Sequence, residues 1–178
     1  MKKGILFLTI LALCTGSVYA EGPYTALWFT EGEDPSIGNC DVMPMPLAPY
    51  SARVWIYNDP ADGFISCRLG VDPGTDVISS ITRNPEMPIT ITEGNYVFPE
   101  CKYDQWVWLF SCELVYMGTP TTLKFIPDQN TGNFNISTCR TDEYPVEGLT
   151  AGNEFGVNTD CVLDADVNSW GAVKSIYR

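Results

Sequence analysis

Along most of this chain the apolar residues recur with a period of two, not with the period of a helix. Residues 25–31 alternate Thr25, Leu27 and Phe29 against Ala26, Trp28 and Thr30, the pattern of a half-buried strand. Residues 50–58 repeat it, with Ala52, Val54 and Ile56 on one face and Arg53, Trp55 and Tyr57 on the other. Asp59-Pro60-Ala61-Asp62-Gly63 follows as a turn, in which Pro presets φ, Gly supplies a positive φ and Asp bonds nearby backbone. In residues 64–71, Ile65, Cys67, Leu69 and Val71 share a face opposite Ser66 and Arg68. A second turn at Asp72-Pro73-Gly74-Thr75 leads to short β-rich runs at 76–82 and 89–92.

The longest run is 105–117. Trp106, Trp108, Phe110, Cys112, Leu114 and Tyr116 fall on one parity, with Ser111 and Glu113 on the other. So much Trp, Phe, Val and Tyr favours a long strand. A buried helix competes, because residues 100–117 hold neither Gly nor Pro. Residues 121–126 and 134–140 read as two more strands around a turn-forming loop at 128–133. Residues 32–49 read as an irregular loop pinned by Cys40, and beyond Thr141 the alternation weakens.

The 15 glycines and 13 prolines suit short strands joined by turns better than helices. The expected fold is all-β: a single jelly-roll or immunoglobulin-like β-sandwich of about eight or nine strands. No internal repeat or linker divides the chain, so residues 21–161 are expected to form one domain.

Residues 1–20 read as a signal peptide. Lys2 and Lys3 form a basic start, residues 4–13 are an apolar stretch too short to span a bilayer, and Val18-Tyr19-Ala20 suits cleavage after Ala20. Cys14 as a lipoprotein acylation site is the weaker alternative, since Leu13 precedes it where a small residue is usual. Removal of the leader leaves Cys40, Cys67, Cys101, Cys112, Cys139 and Cys161. An even count in an exported chain, with no CxxC pair, points to three disulfides and away from a thiolate metal site. Cys67 and Cys112 both face inward by parity. The expected pairing is Cys67–Cys112, Cys40–Cys161 and Cys101–Cys139.

The formal charge is −12, or −14 once Lys2 and Lys3 leave with the signal, so nucleic acid and anionic membrane surfaces are poor partners. No histidine is present, which removes Ser-His-Asp and Cys-His catalysis and every His-ligated metal site. A carboxylate pair can hydrolyse glycosides without histidine, and Glu31, Glu93, Glu100 and Glu113 lie on or beside strands, but their spacing singles out no pair. Asp160, Asp164, Asp166 and Asn168 supply hard oxygen ligands, yet Ser169 and Ser175 stand where a calcium loop needs Gly and Glu. The run from Asp128 through Asn130 to Asn133 is similarly incomplete. No metal or cofactor is expected, and solvated acidic loops are the simpler account.

The outward aromatics are the best sign of binding. With Val54 and Ile56 in the core, Arg53, Trp55 and Tyr57 face outward, and Leu27 with Phe29 inside turns Trp28 outward too. Flat aromatic rings on a sandwich face stack on sugar rings, with Arg53 as hydrogen-bond donor. Burial of these rings beneath a loop is the alternative. After Cys161, Trp170, Val173, Ile176 and Tyr177 lie largely on one side of a possible short helix capped by Asn168 or Ser169, in a tail (162–178) that would serve sorting or docking or pack on its own domain.

The order Ala52-Arg53-Val54-Trp55-Ile56-Tyr57-Asn58, a turn, residues 63–74 running from Gly63-Phe64 to Asp72-Pro73-Gly74, and then Val77-Ile78-Ser79-Ser80-Ile81 resembles the front half of cohesin-like modules. Residues 112–116 and 123–126 match the back half, and the resemblance spans about residues 24–140. It implies a jelly-roll sandwich in a secreted bacterial protein. Cohesins do not need three disulfides and offer no counterpart to the Cys40 loop, so the resemblance does not extend to dockerin recognition. The ending, residues 169–178, resembles those of many exported bacterial proteins of this general shape. The resulting expectation is a non-catalytic surface or extracellular module, secreted, periplasmic or cell-surface, that binds a protein or a polysaccharide. A carboxylate-based glycoside hydrolase is the alternative.

Overall fold

The alternating segment at Pro49–Tyr57 becomes the central strand of a five-stranded sheet. A computed structural model describes residues 25–35, 40–87 and 94–160. These form an all-β sandwich of thirteen strands: β1 (Ala26–Thr30), β2 (Asp41–Val42), β3 (Pro49–Tyr57), β4 (Phe64–Arg68), β5 (Gly70–Asp72), β6 (Val77–Arg83), β7 (Asn95–Lys102), β8 (Trp106–Val115), β9 (Thr121–Ile126), β10 (Asn135–Thr138), β11 (Val146–Gly148), β12 (Thr150–Ala151) and β13 (Phe155–Val157). One sheet runs β12-β1-β3-β8-β6. Two four-stranded sheets, β11-β10-β4-β7 and β2-β13-β9-β5, make the opposing layer. The chain steps from one to the other at Leu69, so the single strand expected at 64–71 is split in two. The run expected at 105–117 is strand over Trp106–Val115, not helix. The strand expected at 89–92 lies outside the described residues, as do the leader and the tail.

The core is built from the inward faces. Leu27, Phe29, Ala52, Val54, Ile56, Phe110, Cys112 and Leu114 of the five-stranded sheet meet Phe64, Leu69, Phe98, Leu123, Ile136 and Phe155. Two ring stacks join the layers: Phe29 on Phe125 with centroids 3.9 Å apart, and Tyr96 on Phe110 at 4.5 Å. Each large side chain removed from water here contributes about 1.5–3 kcal/mol. Among the described residues no helix is long and apolar enough to cross a membrane.

Two bulges reset the parity read from the sequence. In β8 the register against β3 shifts so that Val54 opposes Phe110 while Trp55 opposes Trp108. Leu109 is the extra residue, and Leu109 and Phe110 are both fully buried. Asn84, just past β6, braces the bulge: its backbone N–H donates to the Leu109 carbonyl at 2.9 Å and its side-chain amide to the Trp108 carbonyl at 2.8 Å. The consequence is that Trp106 and Trp108 face outward while Phe110, Cys112 and Leu114 face the core. In β4 a shift at Ile65 gives Phe64, not Ile65, the core position.

Cys101 and Cys139 form a disulfide with Cα atoms 6.2 Å apart, tying β7 to the end of β10. Cys40 is disulfide-bonded as well; the expected partner, Cys161, lies outside the described residues. The Cys67–Cys112 pairing is corrected: both are free, buried thiols. Parity did turn both inward, but they stand in opposing layers, Cys67 between Ile136 and Tyr96 and Cys112 between Ala52 and Ile81. Facing the core does not by itself bring two sulfurs within bonding reach.

Candidate binding face

The outer face of the five-stranded sheet carries five aromatic residues on three adjacent strands. Trp28 of β1 lies opposite Trp55 of β3, and Trp55 lies opposite Trp108 of β8. One step along, Tyr57 lies opposite Trp106. Strand spacing of about 4.8 Å makes such directly opposed side chains neighbours. The rings interlock edge to face: Tyr57 on Trp106 at 4.9 Å, and Trp106 on Trp28 at 6.3 Å.

Polar groups fix these rings in place. The Trp55 indole N–H donates to the Thr30 hydroxyl at 2.9 Å. The Tyr57 hydroxyl accepts from the Gln105 side-chain amide at 2.8 Å. The Arg53 guanidinium sits 5.8 Å from the centre of the Trp108 ring and pairs with Glu33 at 2.8 Å. The buried Trp108 indole N–H has no hydrogen-bond partner among the described residues. Such a donor ordinarily finds one, since leaving it unmade costs free energy.

Of the residues expected here, Arg53, Trp55 and Tyr57 occupy the outer face and are partly exposed. Trp28 shares the face but is only 7% exposed, which corrects the expectation of an open ring. Its cover is Gly152, so close that a Cβ at that position would fall on the indole. The Gly152 N–H donates to the Leu27 carbonyl at 2.7 Å, which holds the chain after β12 against β1. Trp106 and Trp108 belong to the face, although simple alternation places them on the inward parity of Cys112. The adjacent apolar pair Leu109-Phe110, which interrupts the alternation, is the sequence signal of the bulge that turns them outward.

The acidic candidates are dispersed. Glu31 follows β1, Glu113 sits in β8 with β3 between them, and Glu100 is on β7 in the opposing layer. Glu93 lies outside the described residues. Asp128 closes its own loop: Oδ1 accepts the Asn130 N–H at 3.1 Å and Oδ2 the Thr131 hydroxyl at 2.6 Å. The Thr131 hydrogen bond, with backbone donors and the charge of Arg68, holds this carboxyl below the usual range. Asp160 is exposed, and Asp164, Asp166 and Asn168 lie outside the described residues.

No protein-family model matches this chain, and no curated protein matches it in sequence. Among solved structures, one similar chain is the seventh ScaB type I cohesin from Pseudobacteroides cellulosolvens. The identity is 9%, the TM-score 0.49, and the alignment covers 75% of this chain and 90% of that one.

Proposed function

We propose that this protein is an exported, non-catalytic binding module that engages its partner through the aromatic outer face of the five-stranded sheet. The observation that carries this reading is the row Trp28, Trp55 and Trp108 across three strands, flanked by Tyr57, Trp106 and Arg53. The partly exposed indoles of Trp55, Trp106 and Trp108, backed by the buried Trp28, offer flat apolar area in a fixed arrangement at little entropic cost on binding. The candidate partners are a protein and a polysaccharide. A neutral polysaccharide suits the face better: sugar C–H faces stack on indole, hydroxyls accept from Arg53, and a chain of charge −12 repels polyanions.

Retention of the protein on insoluble neutral polysaccharides, with reducing ends assayed in the same tubes, tests the reading. Retention without release of reducing ends supports a binding module. Release of reducing ends indicates the carboxylate hydrolase instead.

A further inference from the structure

A cavity of about 400 Å³ opens beside β6, the last described strand of the five-stranded sheet, on the core side of that sheet and so away from the aromatic face. Its apolar walls include Leu69, Val71, Ile78 and Tyr96, and two acidic residues line it, Asp76 and Asp128. That volume falls within the range of small-ligand sites.

The two acids are unusual for their burial. Asp76 is 4% exposed and Asp128 3%. Asp76 accepts from neutral donors: the Tyr50 hydroxyl at 2.7 Å and the Met117 N–H at 2.9 Å. Asp128 accepts from Asn130 and Thr131. Neither carboxylate makes a salt bridge among the described residues. The charge of Arg68 acts on Asp128 from a distance and Arg83 lies over the ring of Tyr96, but among the described residues no lysine or arginine lines the cavity. Two buried carboxylates whose hydrogen-bond donors are all neutral give the cavity a negative lining, and a buried charge is stabilised most by an opposite one.

We propose that this cavity binds an alkylammonium ion, its cationic head between Asp76 and Asp128 and its aliphatic stem along Leu69, Val71 and Ile78. A free amine and a lysine side chain of a partner protein share this chemistry.

The test is a two-dimensional amide NMR titration of the full chain with n-pentylammonium, 1-pentanol and pentanoate. Saturable shifts at Gly70, Gly94 and Asn130 are expected from the ammonium ion, with an affinity at least about tenfold above that for the alcohol, and none from pentanoate. Ile81→Trp, at the cavity mouth, is expected to abolish the shifts with the melting temperature unchanged. Asp76→Asn is expected to weaken binding at least about tenfold. Because the loss of an acceptor at Asp76 also threatens folding, Ile81→Trp keeps the test decisive. Parallel titration with Nα-acetyl-lysine amide separates the sources: equal binding indicates a partner's lysine, and binding of pentylammonium alone indicates a free amine. Equal affinities for alcohol and ammonium, shifts confined to the aromatic face, or no saturable shift up to about 10 mM would overturn the proposal.

Discussion

The buried side-chain amide of Asn153 hydrogen-bonds both backbone groups of Phe29, accepting its N–H at 2.7 Å and donating to its carbonyl at 2.9 Å. β12 pairs with β1 only at Ala26 and Leu27, so Asn153 takes the next ladder position with a side chain where a strand would use its backbone. Asn153→Ala leaves two buried backbone groups unpaired and is expected to cost about 2–4 kcal/mol. Urea unfolding should show a lower midpoint at an unchanged m-value.

Gly152 and Trp28 share one space. Gly152→Ala must push the indole outward, a loss of about 1–3 kcal/mol by overpacking. The expected signature is a red-shifted tryptophan emission in the native state. An unshifted spectrum with unchanged stability would show that Gly152 does not set the position of the ring.

The parity of β1 and β3 was legible because each alternates without interruption, and so the outward positions of Arg53, Trp55 and Tyr57 followed. β8 was legible as a strand but not as a bulged one, and a single inserted residue moved Trp106 and Trp108 to the opposite face. β7 was missed because Pro99 sits inside it. β11, β12 and β13 have three residues or fewer and exist through pairing with distant strands, which local pattern does not encode. The burial of Trp28 depends on Gly152, more than a hundred residues away, and nothing near Trp28 announces it.

The thiols and the disulfide predict a specific labelling pattern. With Cys67 and Cys112 buried and free, these two thiols should react slowly with a thiol reagent in the folded protein, and unfolding without reductant should make both of them reactive. Cys101→Ala with Cys139→Ala opens a loop spanning a sequence separation of 38 and is expected to cost about 4 kcal/mol in the chain-entropy model.

Alkaline pH should destabilise the fold through the same thiols. Burial pushes Cys112 up to about 12 and also raises Cys67. Tyr50 is raised by burial and by its hydrogen bond to Asp76. A folded pKa above the unfolded value means that the unfolded chain loses its proton first. The stabilisation is therefore intact below about pH 8.5, where unfolded thiols titrate, and falls steadily as pH rises toward 12. Urea midpoints measured from pH 7 to 11 should fall, and Cys67→Ala/Cys112→Ala should flatten the decline. An equal slope in that variant would remove the thiols as the cause.

The most direct measurement of the central claim is the affinity of Trp55→Ala for whichever neutral polysaccharide retains the wild-type protein. Trp55 stands between the covered Trp28 and the partly exposed Trp108 and is itself partly exposed, so its removal takes exposed ring area from the face with little loss of core. The account predicts an affinity loss of at least about tenfold, or 1.4 kcal/mol, with the disulfide and the cooperative unfolding transition retained. Wild-type affinity in Trp55→Ala, or retention of the native protein on no neutral polysaccharide, would contradict it.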